Sequence, residues 1–218
     1  MDNYIIKIEN LTKRFGNVTV LNNVNVNFEK EKIHGIVGRN GSGKTMLMKC
    51  ICGFLKPTEG TITVSEKVVG KDVEIPPDIG VIIETPGFVT NYSGYKNLKL
   101  LASVRGKITN DEIVKAMNIV GLDAKNRKHV GKYSLGMRQR LGIAQAIMEK
   151  PKILILDEPM NGLDNDGVQH IRNVLLELKE QGTTIILASH NKEDIDVLCD
   201  RVCYMDKGRI AIREDNEE

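Results

Sequence analysis

The sequence lacks any uninterrupted apolar run long enough to cross a membrane. It has 218 residues, of which 41% are hydrophobic and 28% charged, a composition typical of a globular protein with a buried core. Its longest apolar stretches, around Ile153 and Ile185, have strand length, whereas a spanning helix needs roughly 20 apolar residues. No signal peptide is expected, because Asp2, Lys7 and Glu9 interrupt the first segment. We therefore expect a cytoplasmic protein, and any role at a membrane must come through a partner.

The chain also lacks an excess of charge of either sign. Its 31 Lys and Arg residues and 29 Asp and Glu residues leave a net charge of +2, so no field attracts nucleic acid and no nucleic-acid partner is expected.

The four cysteines, Cys50, Cys52, Cys199 and Cys203, have no histidine nearby at zinc-finger spacing. This pattern favours reduced, mostly buried thiols over a zinc site.

Short apolar strands alternate with helices along much of the chain. We predict strands at 4–8, 18–28, 33–37, 61–64, 79–83, 153–156 and 184–188, a helix at 45–51 and a final hairpin at 202–212. Between about 92 and 150 the pattern is helical, with a capping box at Thr109 and Glu112 and a helix at 135–149. The alternation predicts a parallel sheet with helices on both faces, and the helical middle looks like an insertion.

A glycine-rich turn follows the predicted strand at 33–37. The segment GRNGSGKT matches the phosphate-binding motif G-x-x-x-x-G-K-[ST] between a strand and a helix, which argues against a turn without a ligand. Lys44 would reach the β- and γ-phosphates, and the Thr45 hydroxyl would ligate Mg²⁺. Backbone amides and the helix N-terminus favour phosphate oxygens. The predicted nucleotide-binding residues of the loop are Gly38, Arg39, Asn40, Gly41, Ser42, Gly43, Lys44 and Thr45.

Two carboxylates, Asp157 and Glu158, follow the apolar strand predicted at 153–156. Asp157 is predicted to hold Mg²⁺, and Glu158 stands where a carboxylate could polarise an attacking water. A strand end followed by a helix cap is the weaker interpretation, because Pro159 comes next. The sequence therefore predicts an ATPase whose cofactors are ATP and Mg²⁺.

Five further motifs, in order, resemble those of the ATP-binding-cassette (ABC) ATPases. YSLGMRQR at 133–140 resembles the family signature, and NGLD at 161–164 resembles the D-loop. His190 resembles the switch histidine, Phe15 the aromatic platform for adenine, and Glu84 falls where the family has its Q-loop glutamine. The resemblance covers nearly the whole chain, from 4 to about 213.

The resemblance implies an α/β fold of the P-loop NTPase (RecA-like) class. Its mostly parallel sheet core carries an N-terminal antiparallel β subdomain and an inserted α-helical subdomain. We expect a single ABC ATPase domain at 1–218, with the β and RecA-like core at 1–85 and 151–218 and the helical signature subdomain at about 86–150.

The resemblance also implies a mechanism. Two ATPase domains dimerise head to tail, and each ATP on one phosphate loop is covered by the other subunit's signature. Ser134 and Gly136 would contact the γ-phosphate of the partner's ATP, and Asp164 would belong to the nucleotide site. Glu158 would act as general base, while His190 holds the γ-phosphate and water in line. The predicted catalytic residues are Lys44, Glu158 and His190, and the predicted metal ligands are Thr45, Glu84 and Asp157.

Three positions depart from the family pattern. Leu135 and Met137 replace a glycine and a glutamine of the signature, while the two positions nearest phosphate are kept. Glu84 could still reach Mg²⁺ or its water shell, so we expect altered metal dependence with activity retained; the alternative is a solvated strand end. Phe15 replaces the usual tyrosine and keeps the ring needed for stacking, and the alternative is a core phenylalanine.

IETPG at 83–87, NGLD and this signature are similar to those of exporters that confer bacitracin or lantibiotic resistance. The resemblance implies the ATPase subunit of an ABC exporter of an antimicrobial peptide or drug. Its partners would be transmembrane permease subunits on separate chains and a second ABC ATPase domain, identical or paralogous. The alternatives are a non-transport ABC ATPase that remodels a cell-envelope or ribosomal assembly, and a nucleotide-gated module without hydrolysis. The single cassette argues against the ribosomal role, and Glu158 and His190 argue against an inactive site.

Overall fold

The computed structural model describes residues 3–84, 87–106 and 108–212, and this part of the chain forms ten strands and six α-helices. The strands are β1 (Tyr4–Phe15), β2 (Val18–Glu29), β3 (Ile33–Val37), β4 (Glu59–Val64), β5 (Lys67–Val68), β6 (Ile79–Ile82), β7 (Ile153–Asp157), β8 (Thr184–Ala188), β9 (Arg201–Asp206) and β10 (Arg209–Ile212). The helices are α1 (Lys44–Ile51), α2 (Gly94–Arg105), α3 (Asn110–Ile119), α4 (Leu135–Ile147), α5 (Asn165–Glu180) and α6 (Lys192–Leu198).

The core is a six-stranded sheet in the order β10-β9-β3-β8-β7-β6. The pairs β9–β3, β3–β8, β8–β7 and β7–β6 are parallel, and β10 is antiparallel to β9. Both faces of the sheet are covered, so β8 is buried along its whole length and needs an unbroken apolar sequence. The loops that follow β3, β7 and β8 leave the same edge, which is where ligands bind in sheets of this kind.

A four-stranded antiparallel sheet in the order β2-β1-β4-β5 covers one face of the core together with α1. Leu11, Phe28 and Leu47 pack there against Ile155 and Ile186 of the core sheet. The prediction of helices on both faces is therefore only partly right, because a second sheet lies on this face together with α1. Strand β1 also runs to Phe15 instead of ending at 8, since it pairs with both β2 and β4.

The remaining helices cover the other face. Leu98, Leu141 and Ile171 pack with Leu156 and Leu187 of the sheet. Helices α2, α3 and α4 stand between β6 and β7 in the chain, and the subdomain boundaries at about 86 and 150 stay a prediction. The predicted capping box at the start of α3 is confirmed. Helix α2 was not predicted as a separate element, and α4 ends two residues before the predicted limit.

None of the helices in the described ranges combines the length and apolar character that crossing a bilayer requires.

The four thiols are free, and Cys50, Cys52 and Cys203 are buried, as predicted. Burial raises the pKa of Cys50 and Cys203 to about 11 and that of Cys52 and Cys199 to about 12. The thiols are therefore protonated, unreactive packing groups. Thr85, Pro86 and the residues after 212 lie outside the described residues.

Candidate functional site

The N-terminus of α1 is the only one among the described α-helices that has no side-chain cap. Its N-cap is Gly43, in the left-handed conformation with φ 112°, and its first turn has no acidic residue. The other described helices are capped by Ser93, Thr109, Ser134, Asp164 and Asn191. The first amides of a helix need acceptors, and they carry the positive end of the helix dipole. This N-terminus is therefore arranged to receive an anion.

Lys44, the first residue of α1, is held by the loop that precedes it. Its Nζ donates to the carbonyl oxygen of Gly38 at 2.6 Å and to that of Arg39 at 3.2 Å, and the residue is only 7% exposed. The loop is closely packed from behind, because a Cβ atom added at Gly38 would lie 2.3 Å from the carbonyl oxygen of Met205. The ammonium is thus fixed at the helix N-terminus by two neutral acceptors that an anionic ligand can replace.

Ser42, in the same loop, has a buried hydroxyl with no hydrogen-bond partner among the described residues. A buried polar group without a partner costs about 1–3 kcal/mol, so it marks a place where a ligand atom is expected. The Ser42 carbonyl oxygen accepts from the Gly208 amide at 2.8 Å, which fixes the loop against the turn between β9 and β10. The cradle therefore has donors in place for phosphate oxygens.

The carboxylate at the end of β7 reaches the start of α1. Thr45 Oγ1 donates to Asp157 Oδ2 at 2.7 Å. The two residues meet because β3, which leads into the loop, and β7 both lie beside β8 in the parallel sheet. A hydroxyl and a carboxylate are the hard oxygen ligands that Mg²⁺ prefers.

The next residue, Glu158, has an unusual backbone conformation. Its φ is +51°, its amide donates to the Ala188 carbonyl at 2.9 Å, and its carbonyl accepts from Gln139 Nε2 at 3.3 Å. His190 Nδ1 lies 2.7 Å from Glu158 Oε2. Left-handed backbone at a non-glycine residue is costly and is common at functional sites. The strand end therefore places a carboxylate and an imidazole in contact at the rim of the site.

Glu84, after β6, pairs with a residue that the sequence did not single out. Lys49 Nζ lies 2.6 Å from Glu84 Oε1, and Lys49 is one helical turn beyond Thr45 on α1. Glu84 has φ +63° and a side chain that is 63% exposed. The extra negative charge at the Q-loop position is thus balanced by an ammonium.

The phosphate loop, Glu84, Asp157 and Glu158 border a cavity of about 870 Å³. Phe15 lies in its wall with 48% of its surface exposed, so the alternative of a core phenylalanine is wrong. The predicted site residues that line the cavity are Phe15, Asn40, Gly41, Ser42, Gly43, Lys44, Thr45, Glu84, Asp157 and Glu158.

Other predicted residues stand outside the described lining. Gly38 and Arg39 contribute carbonyls to Lys44, and His190 reaches the site through Glu158. Ser134 and Asp164 accept from amides of their own helices, Met137 at 3.2 Å and Gly167 at 3.0 Å. Gly136 approaches the 161–164 loop, because a Cβ atom added at Gly136 would lie 2.8 Å from the Gly162 carbonyl oxygen. Ser134 and Gly136 are therefore not part of the described lining around the phosphate loop of their own chain.

Several lining residues were missed by the sequence analysis. Arg138 and Gln139 lie in the signature motif but had no assigned role, and Leu135, Asn161 and Lys207 also line the cavity. Lys207 lies in the turn between β9 and β10, and nothing in its local sequence indicates proximity to a loop more than 160 residues earlier. Only the order of the strands in the core sheet places Lys207 close to the phosphate loop.

Comparison with known proteins gives the same assignment. A family model described as ABC transporter matches residues 21–161. The chain is 45% identical to the bacitracin transport ATP-binding protein BcrA of Enterococcus faecalis, over 95% of this chain and 68% of that protein. It is 38% identical to the lantibiotic transport ATP-binding protein SrtF of Streptococcus pyogenes, over 97% of this chain and 91% of that protein.

The solved structure of the cassette MJ0796 in its dimeric, ADP- and phosphate-bound form has the same fold. The TM-score is 0.86 at 23% identity, over 98% of this chain and 99% of that one. With a family model that matches most of the chain and relatives this similar, the chain belongs to the ABC transporter family and is one of its ATPase subunits.

Proposed function

We propose that this chain binds Mg-ATP on the loop at 38–45 and hydrolyses it to power an exporter of antimicrobial peptides. The observation that carries the proposal is the 2.7 Å hydrogen bond from Thr45 to Asp157, which joins the phosphate loop to the carboxylate strand. Phosphate donors and metal-type ligands are thereby brought to one place, as phosphoryl transfer requires.

Nucleotide binding replaces contacts that the free chain already makes. Lys44 exchanges the Gly38 and Arg39 carbonyls for β- and γ-phosphate oxygens, with stronger, charge-assisted hydrogen bonds. The uncapped amides at the start of α1 and the unpartnered Ser42 hydroxyl complete the phosphate contacts. Phe15 offers its exposed ring face to the adenine.

The donor set around Thr45 fits Mg²⁺. Thr45 and Asp157 would hold the ion, and Glu84 could join them or their water shell. Bound there, the ion would neutralise charge on the phosphates. Glu158 accepts the proton of the attacking water, and His190, in contact with Glu158, orients the carboxylate and the γ-phosphate.

The signature residues belong to the site of a second cassette. Ser134 is exposed at the N-terminus of α4, and Gly136 follows in the first turn. The N-terminus of their helix carries a partial positive charge, so it suits the γ-phosphate of a partner's ATP. The partner is a second copy of this chain or a paralogue, and the dimeric MJ0796 cassette shares this fold.

The permease subunits, on separate chains, dock in a groove between the core and the helical insert. This groove of about 340 Å³ is lined by Phe54, Ile75 and Val104, which are 56%, 57% and 81% exposed. Strand β6 forms part of its wall and leads directly to Glu84 at the nucleotide cavity. An occupant of the groove can therefore affect the metal site. This docking would place the chain at the inner face of the membrane.

The cargo follows from the relatives. BcrA is named for bacitracin transport and SrtF for lantibiotic transport, and both cargoes are antimicrobial peptides. We assign the same class of cargo to the exporter that contains this chain, acting in resistance or self-immunity.

Trapping of the ATP-bound dimer tests the proposal. Glu158→Gln keeps the fold of the site and removes the general base, so Mg-ATP should convert the variant from monomer to dimer on gel filtration. The double variant Glu158→Gln with Lys44→Ala should stay monomeric, because it lacks the phosphate-binding ammonium. A Glu158→Gln protein that stays monomeric at saturating Mg-ATP would contradict the proposed pairing.

A second observation tests the transport role. A neighbouring gene should encode a protein with about six apolar segments of roughly 20 residues, and that protein should co-purify with this chain from membranes. A stable partner without spanning segments would instead support the remodelling of an envelope or ribosomal assembly.

A further inference from the structure

Leu135 and Gly162 stand at a close contact between the signature and the D-loop of the same chain. Leu135 is the first residue of α4 and is 51% exposed. Gly162 lies in the 161–164 loop that precedes α5 and has φ +76°. Leu135 is also one of the departures from the family signature, so its surroundings explain why a large side chain is tolerated there.

The leucine side chain occupies the space that a larger residue at 162 would need. A Cβ atom added at Gly162 would lie 2.4 Å from both Cγ and Cδ2 of Leu135 and 3.2 Å from its Cβ. Contacts of 2.4 Å are far inside van der Waals distance, so no side chain fits at 162 while Leu135 keeps this position. The two residues are therefore a matched large and small pair.

The contact continues along the first turn of α4. A Cβ atom added at Gly136 would lie 2.8 Å from the carbonyl oxygen of Gly162, so the two backbones approach directly. One turn further on, Gln139 Nε2 donates to the Pro159 carbonyl at 3.0 Å. The start of α4 and the 159–162 segment are thus packed against each other at three successive points.

We propose that Leu135 couples the signature helix to the D-loop of its own chain, so that both approach the second cassette as one body. Ser134 caps α4 on one side of this contact, and Asp164 caps α5 on the other. Moving one helix N-terminus therefore moves the other. The contact itself is independent of dimerisation, whereas its effect on closure rests on the proposed function.

A double-mutant cycle in the Glu158→Gln background tests the coupling. Gly162→Ala should weaken the Mg-ATP-dependent dimer at least about tenfold, because its Cβ collides with Leu135. Adding Leu135→Ala removes Cγ and Cδ2, so only the 3.2 Å contact with the Cβ atom of residue 135 remains. The double variant should therefore recover about half or more of the lost dimer affinity on a logarithmic scale. Sedimentation experiments measure the dimer dissociation constant of each variant. A double variant that dimerises as weakly as Gly162→Ala alone would overturn the proposal.

A control separates this coupling from general damage. Gly70→Ala places alanine at φ +80° with no atom within 4 Å, so it measures the backbone strain of the substitution without a collision. In the Glu158→Gln background, Gly70→Ala should leave the dimer dissociation constant within about twofold of the parent. A loss of dimer affinity in Gly70→Ala as large as that in Gly162→Ala would overturn the proposal.

Hydrogen exchange tests the contact even if Gly162→Ala does not fold. In Leu135→Ala, the amides of residues 161–164 should exchange at least about threefold faster, whereas those of residues 41–45 should be unchanged. Unchanged exchange at 161–164 would overturn the coupling. If the Glu158→Gln parent itself does not dimerise, the proposed pairing fails, and the exchange result still judges the contact between Leu135 and Gly162.

Discussion

At the scale of single residues, several polar groups of the candidate site contact one another before a ligand binds. Lys44 contacts two carbonyls, Thr45 contacts Asp157, and Lys49 contacts Glu84. Each of these contacts is one that a nucleotide and its metal ion would replace. Binding is therefore an exchange of partners, and the net free energy gained is the difference between two sets of hydrogen bonds.

The pair of Lys49 and Glu84 leads to a prediction about the altered Q-loop position. Glu84→Gln should keep basal ATP hydrolysis within about tenfold, equivalent to about 1.4 kcal/mol, because Lys49 already balances the charge of the carboxylate. Steady-state ATPase assays over a range of Mg²⁺ concentrations measure it. Lys49→Gln is the matched comparison, and it should lower the Mg²⁺ requirement, because the Glu84 carboxylate without its ammonium partner attracts the cation more strongly. Collapse of Glu84→Gln to background would show that Glu84 is catalytic.

The residues predicted from the sequence are those whose role is local in the chain. The phosphate loop and the pair Asp157 and Glu158 each follow a strand directly, so their spacing alone identified them. Lys49 was missed because its partner is 35 residues away, and its helix position carries no signal of its own. The match of Leu135 with Gly162 was also hidden, since it depends on how α4 meets the loop before α5.

At the scale of elements, a buried ion pair connects α5 to the segment that carries His190. Arg172 donates to Asp194 at 2.6 and 2.9 Å, and Asp194 accepts from the Ser189 hydroxyl at 3.1 Å. The side chains of Arg172 and Asp194 are 5% and 2% exposed. Hydrogen bonds to Glu193 and Asp194 raise the pKa of Arg172 above its ordinary value. Because Ser189 directly precedes His190, the network positions the histidine.

Breaking this network should affect stability and turnover differently. Arg172→Met leaves a buried carboxylate without its cation, so it should lower the free energy of unfolding by about 3–5 kcal/mol in urea titrations. Ser189→Ala removes one hydroxyl, and should reduce kcat several-fold while nucleotide affinity stays the same. A kcat for Ser189→Ala equal to that of the parent would show that the network supports only the fold.

The capping box of α3 predicts a pH effect on stability. Hydrogen bonds from the backbone and then from Lys150 and Thr109 lower the pKa of Glu112 from 4.5 to about 2. Since the folded pKa is the lower one, this stabilisation is present above about pH 4.5 and is lost as the pH falls toward 2. Glu112→Gln should therefore flatten the acid limb of the stability curve. Thr109→Ala should cost about 1 kcal/mol at pH 7 through loss of the cap. An acid limb in Glu112→Gln as steep as the parent's would contradict the assignment.

At the scale of the whole molecule, the position of the antiparallel sheet was the least predictable part of the fold. The family resemblance implied an N-terminal antiparallel β subdomain, but not that this sheet would share one face of the core with α1. The parallel core was predictable because its strands are buried on both faces and read as continuous apolar runs.

The groove beside β6 gives a prediction at this scale. Val104→Asp puts a charge on a surface that is 81% exposed in the free chain, so ATP hydrolysis by the isolated subunit should stay within about twofold. Co-purification with the permease should fall at least about tenfold, because the carboxylate is buried on docking. Val197→Asp, at an exposed apolar position on α6, is the control. Equal losses for both variants would place the permease elsewhere.

The strand order has a consequence for biosynthesis. The strand that feeds the phosphate loop, β3, has β8 and β9 as its sheet neighbours, and these begin only at Thr184 and Arg201. A ribosome-bound nascent chain that has emerged only as far as residue 180 therefore contains every residue of the motif, and β3 still has no strand to pair with. Nucleotide cannot stabilise such a chain as a folding intermediate, so the long-range pairing must come first. The exposed apolar segments of the first half must wait until β8 and β9 have emerged, which makes this period one in which chaperone protection matters.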